Sequence, residues 1–298
     1  MGHLLYNLYK KNRLWEMKGE NVMKRLSRSE ICKKLNARLA AKEPILVCES
    51  GSGITAKLTA KYGIDMILVL SASSFRMRGL DDVFAGKPYG NGNDMTMQMV
   101  TDMRLVIGDD VPVIAGVCPN DPYRFVDDYV ARYKRMGVSG FTNFPTIGTA
   151  YLQSRGGMDK EGIGFHSEIE FLKNQQQEDM FTVGLAFYME DGLKYAEEGL
   201  DMIVLDLRFL ITKALTPELY EVDKSCELVQ KTYRQIKAIH PQCYVVVHGG
   251  PFDTIENVRK LFEQTDVDGF MGSKIFDVNV MTHYITENQC SFANLKLR

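Results

Sequence analysis

The stretch AKYGIDMILV at residues 60–69 decides the fold class, and the stretch AEEGLDMIVL at residues 196–205 nearly repeats it. Each stretch is typical of a helix end, followed by a glycine and then by an apolar strand. Glycine readily adopts the left-handed conformation that ends a helix, so both stretches predict a helix-to-strand junction. A chain that repeats this junction alternates helices with strands.

Short apolar runs of the kind that form buried parallel strands occur eight times. They lie near residues 45–49, 65–70, 112–117, 139–143, 181–187, 201–206, 243–248 and 267–271. Eight strands that alternate with helices over about 250 residues predict a single closed (β/α)8 barrel, or TIM barrel, while an open doubly wound sheet is the competing fold. The two similar junctions precede the second and sixth strands, which favours closure because two equivalent half-barrels would place them there.

Signals for helix starts complete the domain organisation. Ser27-x-x-Glu30 predicts a capping box ahead of an extra N-terminal helix, and Asp121 followed by proline predicts a cap and a first helical turn. We therefore divide the chain into an N-terminal extension, residues 1–25, and one TIM-barrel domain, residues 26–298.

Three of the connections are longer than barrel units usually need. They follow strands 2, 4 and 6, at about residues 71–93, 145–165 and 208–223. Each one leaves the carboxyl end of a strand, the side on which barrels of this class place their chemistry. We expect these insertions to be candidate lids.

Composition narrows the class of partner. The chain of 298 residues has 36 Lys+Arg against 38 Asp+Glu, so no global basic field favours nucleic acid or an anionic membrane surface. It has no run of about 18 apolar residues, so no membrane span is expected. The six cysteines are far apart and form no CxxC pair, a pattern typical of reduced thiols in a cytoplasmic protein.

Three side chains are candidates for catalysis at the barrel mouth. Glu49 follows Ile45 and Val47 at the alternating period of a strand, so all three share one face and Glu49 points into the mouth if that face is inward. His248 ends strand 7, where an imidazole can donate to an oxyanion or transfer a proton near neutral pH. Arg76 lies in the insertion after strand 2 and could close over a carboxylate or phosphate.

Glycine-bearing turns are candidates for binding an anion through the backbone. The strongest pair follows strands 7 and 8, and a further turn follows strand 1, where a tight βα turn is the alternative. Asp206 ends strand 6 and either faces the ligand or pairs with Arg208. The ligand-binding candidates from these turns and strand ends are Ser50, Gly51, Ser52, Gly53, Asp206, Gly249, Gly250, Gly272 and Ser273.

Several strand ends together resemble the phosphoenolpyruvate hydrolase-like TIM-barrel family, which also supplies the C-terminal domain of a plant antiviral resistance protein and of its microbial relatives. The resemblance is carried by ESGSGITAK at 49–57, FRM at 75–77, AGVC at 115–118, NFPTIG at 143–148, GIGF at 162–165 followed by EIE at 168–170, and HGGP at 248–251. The ligand-binding candidates also include Ser71, which follows strand 2 where the sequence departs from the family's asparagine-serine-glycine stretch, and Asn143, which ends strand 4.

The resemblance implies a lyase- or hydrolase-type enzyme, assembled as a homo-oligomer, that acts on a small enolpyruvate-like or phosphorylated carboxylic acid. A non-catalytic barrel that binds a small ligand or a protein is the alternative. The cofactor is unknown, with Mg²⁺ possible. Its oxygen ligands would have to come from Glu49, Asp121, Asp206 or the pair Glu168 and Glu170.

Overall fold

The structure is a computed structural model that describes residues 23–86, 89–149, 152–210 and 220–297. Eight parallel strands form a closed barrel in which each strand pairs with the next and the last pairs with the first. The strands are β1 Ile45–Glu49, β2 Met66–Val69, β3 Val113–Val117, β4 Gly140–Asn143, β5 Phe181–Ala186, β6 Met202–Asp206, β7 Tyr244–His248 and β8 Gly269–Gly272. The predicted TIM barrel is confirmed.

Helices precede, connect and follow the strands. They are α1 Arg28–Ala40, α2 Gly53–Lys61, α3 Ser71–Arg76, α4 Gly92–Arg104, α5 Val126–Arg135, α6 Leu152–Lys160, α7 Phe165–Gln177, α8 Met189–Glu197, α9 Leu207–Leu210, α10 Val222–Ile239, α11 Ile255–Gln264 and α12 Val278–Ala293. Two short 3-10 helices, Asp82–Gly86 and Ile147–Thr149, lie in the insertions after β2 and β4.

The strands divide their side chains between two apolar layers. Val47, Leu68 and Val204 belong to the cluster inside the barrel, and Cys48 and Ile67 belong to the cluster between the barrel and the helices. Because side chains alternate along a strand, the last residue of β1, β6 and β7 continues an inward row. Those residues are the polar ones at the carboxyl end of the barrel.

The predicted junction glycines have the conformation that their role requires. Gly63 precedes β2 with φ 98° and Gly199 precedes β6 with φ 75°. Both angles are in the left-handed region that favours glycine. The two similar sequences therefore form the same turn on opposite sides of the barrel.

The extra helix α1 closes the amino end of the barrel. Ser27 and Glu30 form the predicted capping box, and Ile31 and Leu35 pack into the inner apolar cluster. The Tyr244 hydroxyl at the start of β7 donates to the carbonyl of Cys32. The aliphatic face of α1 thus covers the end of the barrel opposite the candidate chemistry.

Most of the predicted extension, residues 1–22, lies outside the described residues. Its last part contacts the barrel: the Met23 amide donates to the Arg135 carbonyl, and Arg104 donates to the Lys24 carbonyl. The predicted boundary after residue 25 stays a prediction.

The predicted helix cap at Asp121 is wrong. Helix α5 begins at Val126, after Phe125, which makes no side-chain cap. Asp121 instead accepts hydrogen bonds from the Tyr123 amide and from the side-chain amides of Asn91 and Asn93. These bonds close a turn, so the chain enters the helix later than the proline suggests.

Helix α12 is the exception among the helices that surround the barrel. None of its side chains is buried, and Val280, Tyr284, Ile285 and Phe292 are each at least half exposed. In the described part of the chain, no helix combines the length and apolar character that crossing a membrane requires.

Candidate active site

A cavity of about 1250 Å³ opens at the carboxyl end of the barrel. All three predicted insertions contribute to its wall, which includes Ser71, Thr146 and Arg208. His248, Gly249, Gly250, Gly272 and Ser273 line it as well. The structure therefore brings the ends of β2, β4, β6, β7 and β8 to one concave site, as the sequence predicts for this face of the barrel.

Glu49 lies directly below this cavity and is fully buried. Its Oε1 accepts from Ser73 Oγ at 2.7 Å and from Arg76 Nη1 at 3.2 Å. Its Oε2 has no hydrogen-bond partner. One carboxylate oxygen is thus held by protein donors, and the other is buried without a hydrogen bond.

Arg76 is a structural partner of acidic residues rather than a mobile clamp. It is 3% exposed, and its Nη1 bonds to Glu49 and Asp82 while its Nε bonds to Asp277 at 3.1 Å. Its Nη2 donates to the Glu49 carbonyl and to Ser73. All of its nitrogen donors are directed at protein acceptors, so the predicted closure of Arg76 over a substrate does not fit this arrangement.

Arg208 is the guanidinium that borders the cavity. Asp206 accepts from its backbone amide, its Nε and its Nη2, which is the pairing that the sequence left as the alternative role of Asp206. Arg208 Nη1 lies 3.8 Å from Glu49 Oε2 and 3.6 Å from Asp82 Oδ2. Asp206 therefore orients Arg208, so that its Nη1 faces Glu49 and Asp82 while the residue lines the cavity.

His248 joins the cavity to the buried acid. Its Nδ1 lies 2.7 Å from the carbonyl oxygen of Met271. Because that oxygen can only accept, Nδ1 carries the hydrogen of a neutral imidazole. Nε2 then has the lone pair, has no hydrogen-bond partner and lies 3.9 Å from Glu49 Oε2.

The charges of this group fix its protonation. Burial favours a neutral Glu49, but the charges of Arg76 and Arg208 outweigh burial and lower the pKa of Glu49 to about 2. Burial lowers the pKa of His248, and the charge of Arg208 lowers it further. At pH 7 a carboxylate and a neutral imidazole therefore face each other, both as proton acceptors.

A third polar atom near the mouth lacks a partner. Ser71 is 1% exposed, and its Oγ makes no hydrogen bond. Buried polar groups are nearly always hydrogen-bonded, so an unpartnered group needs a structural or functional reason. Three such atoms at one mouth, on Glu49, Ser71 and His248, indicate a site built for a polar ligand.

The glycine turns after β7 and β8 shape the cavity wall. Gly249 and Gly250 have φ 72° and 63°. A Cβ on Gly249 would lie 2.5 Å from Arg208 Cγ, and one on Gly272 would lie 2.3 Å from the Phe276 ring. Glycine is therefore required for the left-handed turn and for the close approach of Arg208.

The turn after β1 lies outside the cavity wall. Ser52 accepts from the Thr55 amide as the cap of α2, and Ser50 Oγ donates to the Ser52 carbonyl. A Cβ on Gly51 would collide with Met77. Ser50, Gly51, Ser52 and Gly53 therefore form the tight βα turn that was the alternative, and anion binding there stays a prediction.

Asn143 points away from the barrel interior. It shares a face of β4 with Phe141, which belongs to the outer apolar cluster. Its Nδ2 lies 2.9 Å from Glu168 Oε2 and 2.7 Å from the Tyr195 hydroxyl, and its Oδ1 accepts from the Leu185 amide. The structure thus separates Asn143 from the other candidates, behind the wall that it supports.

Mg²⁺ would require several oxygen ligands. Within the described ranges, no three His, Cys, Asp or Glu side chains form a group able to hold a metal ion. The Asp206 carboxylate accepts hydrogen bonds from Arg208, and the Asp121 carboxylate accepts them from Asn91 and Asn93. Glu168 lies outside the barrel, where it accepts from Asn143. These side chains do not fit a magnesium site as they stand, so no step below is routed through a metal.

Sequence reasoning missed the acids that complete the group, Asp82 and Asp277, and the cavity role of Arg208. Asp277 is 201 positions from Arg76 in the chain, so no local pattern connects them. The signal for Arg208 was present, because an arginine two residues after an inward strand end stands at the mouth.

Fold and site together define an α/β-barrel protein with a buried, proton-accepting site at the carboxyl end of its strands. The family model described as phosphoenolpyruvate hydrolase-like matches residues 30–295. The chain belongs to this family.

Curated relatives match most of this chain but only part of their own length. The ToMV susceptible protein tm-1(GCR26) of Solanum lycopersicum is 28% identical over 258 residues, which are 86% of this chain and 34% of that protein. A putative transcriptional regulatory protein, y4pA of Sinorhizobium fredii, is 28% identical over 256 residues, 84% of this chain and 41% of its own. The chain spans about a third of the length of its tomato relative.

Solved structures show the same fold at low sequence identity. The tryptophan synthase α subunit of Legionella pneumophila has a TM-score of 0.57 at 15% identity, covering 88% of this chain and 92% of its own. A phosphonopyruvate hydrolase complex with oxalate and Mg²⁺ has a TM-score of 0.55 at 14% identity, covering 87% and 88%. At such identities the likeness establishes the barrel and not the reaction.

Proposed function

We propose that this protein is a lyase- or hydrolase-type enzyme that acts on a small enolpyruvate-like or phosphorylated carboxylic acid in the barrel mouth. The observation that carries the proposal is the juxtaposition of His248 Nε2 and Glu49 Oε2, both buried and unpartnered, beside a cavity bordered by Arg208. Membership of the phosphoenolpyruvate hydrolase-like family and the fold of phosphonopyruvate hydrolase support this class.

Each side chain has a definite task in the proposed reaction. The substrate carboxylate or phosphate binds beside Arg208 and between the turns that follow β7 and β8, all of which line the cavity. His248 Nε2 accepts a proton from the substrate or from an attacking water. Glu49 stabilises the imidazolium that forms, and Arg208 stabilises the negative charge that develops on the substrate.

Incubation with phosphoenolpyruvate, phosphonopyruvate and related 2-oxo acids, with and without Mg²⁺, tests the proposal. We expect turnover of at least one acid and its loss in the His248→Gln variant. Exposed His283 provides the matched control, because His283→Gln should retain full activity. Absence of turnover with every acid in the folded protein would refute an enzyme of this class.

A non-catalytic binding barrel is the second candidate. One observation that favours it is the complete burial of Glu49, which does not line the cavity. The other is that the tomato relatives are named for resistance or susceptibility to ToMV. Titration with phosphoenolpyruvate separates the two candidates: a binder retains saturable binding and shows no product, whereas an enzyme releases product.

The predicted homo-oligomer is also a proposal, and α12 supports it. Isolated helices of about 15 residues are marginal in water, so a 16-residue helix with no buried side chain needs a partner. Helix α2 exposes a complementary apolar stripe of Ile54, Leu58 and Tyr62, with 59%, 47% and 74% exposure. Gly53, on the opposite side of α2 from the stripe, packs against the end of α4. The stripe therefore faces the other neighbour of α2, which in a TIM barrel is the helix that follows β8.

Exchange of α12 between two copies would cover both apolar surfaces. Each helix, about 24 Å long and about 10 Å wide, buries about 240 Å² of its own surface and as much on the stripe that it covers. Two such contacts bury about 1,000 Å² in total, near the lower bound for a specific interface. We propose a cytoplasmic location as well, since all six cysteines are free thiols.

A further inference from the structure

Two sequence motifs that the proposed reaction does not use meet outside the barrel. Glu168 of the EIE segment is 1% exposed. Its Oε1 accepts from the Ile147 amide at 2.7 Å, and its Oε2 accepts from Thr146 Oγ1 at 2.6 Å and from Asn143 Nδ2 at 2.9 Å. One buried carboxyl thus holds most of the NFPTIG segment.

That segment forms one wall of the cavity. Phe144, Pro145, Thr146, Gly148 and Thr149 all line the mouth, and we call residues 144–149 the β4 wall. The wall has a second attachment, because Arg155 of α6 donates to the Gly148 carbonyl and pairs with Asp191. Any displacement of the β4 wall therefore changes the cavity while leaving the barrel intact.

The hydrogen bonds of the wall can be satisfied when Glu168 is neutral. Its carbonyl oxygen still accepts from Ile147, and its hydroxyl can donate to Thr146 Oγ1, which already accepts from the Gly148 amide. The ionised form keeps the same donors but places a negative charge in a nearly water-free site. Burying a charge is costly unless it is paired, and among the described residues no cation bonds to Glu168 directly.

We propose that Glu168 is a positioning residue for the mouth: its neutral carboxyl fixes the β4 wall, and loss of its proton releases the wall and reshapes the cavity.

The surroundings of Glu168 set the pH at which its carboxyl loses the proton. Burial raises the pKa of Glu168 to about 7, although Thr146, Asn143, Ile147 and the charge of Arg155 oppose it. Tyr195 on α8 and Cys118 after β3 also face it, and burial raises the pKa of both, that of Cys118 to about 11. Asp191 is paired with Arg155. Among these groups, Glu168 is the one placed to change charge near neutral pH while bonded to the wall.

The direction of the effect follows from linkage. The pKa of Glu168 is raised in the closed wall above its ordinary value of 4.5. Closure is therefore favoured at low pH and is lost as the pH rises through about 7. Between pH 6 and pH 8 the equilibrium constant for opening should rise about tenfold.

Hydrogen exchange of the full-length protein tests the inference without any ligand. The readout is the protection factor of the Ile147 amide, corrected for the intrinsic pH dependence of exchange, at pH 6, 7 and 8. We expect about a tenfold loss of protection from pH 6 to pH 8 in the wild type. Glu168→Gln should give a protection factor that does not change between pH 6 and pH 8, because an amide can still accept from Ile147 and donate to Thr146 but carries no titratable proton.

Glu170→Gln is the matched control, because Glu170 lies exposed on the same helix and should leave the pH dependence unchanged. A wild-type protection factor that is constant from pH 6 to pH 8, or a Glu168→Gln variant that keeps the wild-type pH dependence, overturns the inference. Binding of inorganic phosphate, measured by calorimetry, should weaken above pH 7 in the wild type but not in Glu168→Gln. If exchange behaves as expected and no acid is turned over, the proposed function fails and the inference stands.

Discussion

His248 Nε2 and Glu49 Oε2 face each other at 3.9 Å, and neither atom has a hydrogen-bond partner. The first belongs to a residue that lines the cavity, and the second belongs to a carboxylate beneath it. Two facing acceptors are satisfied when one proton is shared between them, so this gap is where a proton taken from a bound substrate would be held.

Replacement of the imidazole should separate chemistry from binding. His248→Gln removes the base and should lower kcat by about 10²–10⁴-fold, with a much smaller change in KM. Steady-state kinetics with the best acid substrate measures both constants. Equal losses in His283→Gln would show that the effect is not local to the mouth.

Arg208 should determine affinity for the anion. Arg208→Lys keeps the charge but loses the forked geometry that Asp206 orients, so we expect KM to rise about tenfold or more. Arg78→Lys is the control, because Arg78 is exposed in the insertion after β2. An unchanged KM in Arg208→Lys would place the anion elsewhere in the cavity.

Gly249 should be intolerant of a side chain for two separable reasons. Gly249→Ala introduces strain at φ 72° and a Cβ 2.5 Å from Arg208 Cγ, so it should lower both stability and anion affinity. Gly199→Ala has the same strain at φ 75° with no atom within 4 Å, and should lose only about 1–2 kcal/mol of stability. Chemical denaturation measures the loss of stability in each variant, and phosphate titration measures the loss of anion affinity. If Gly249→Ala and Gly199→Ala bound phosphate equally well, the Gly249 turn would have no role in placing Arg208.

Acid should remove the stabilisation that Glu49 supplies. The pKa of Glu49 is lowered to about 2, so its contribution is present above the ordinary value of 4.5 and is lost as the pH falls toward 2. The difference in unfolding free energy between wild type and Glu49→Gln should be of the order of 3 kcal/mol at pH 6 and should shrink below pH 4. Urea unfolding at both pH values measures it, and a difference that stays constant would contradict ionic pairing of Glu49.

The oligomer can be tested by complementation between full-length chains. Leu58→Glu/Tyr62→Glu alters the α2 stripe, and Tyr284→Glu/Ile285→Glu alters α12. Light scattering should give a wild-type dimer, two monomeric variants, and a heterodimer when the variants are mixed, because one intact helix and one intact stripe remain. Ile239→Glu, a change of a partly exposed residue on α10, should stay dimeric. A monomeric wild type would rule out the exchange.

The barrel could be predicted because its determinants are local. Each strand appears as a short apolar run. Gly63 and Gly199 each end a helix and so predict the strands β2 and β6 that follow them. The alternation Ile45, Val47, Glu49 also predicted that Glu49 lies on the inward face of its strand, since period two is a property of any strand. The same period shows that Asn143 shares a face with Phe141 of the outer cluster, so Asn143 points away from the ligand site for which it was predicted.

The ion-pair group could not be predicted in the same way. Arg76 meets Asp277 only because the barrel closes, and which of several acids an arginine selects depends on distances that no local pattern encodes. The role of Glu168 depends likewise on burial between α7 and the β4 wall. Sequence reasoning located the mouth and offered the pair of Asp206 and Arg208 as an alternative, but it did not find the acids that pair with Arg76.

The position of Arg76 has one more consequence. It bonds to Glu49 at the end of the first strand, to Asp82 after the second strand and to Asp277 after the eighth. These three anchor points straddle the seam at which the circle of strands is completed. A substitution at Arg76 should therefore loosen the joint between the first and last strands as well as disturb the polar group beneath the mouth.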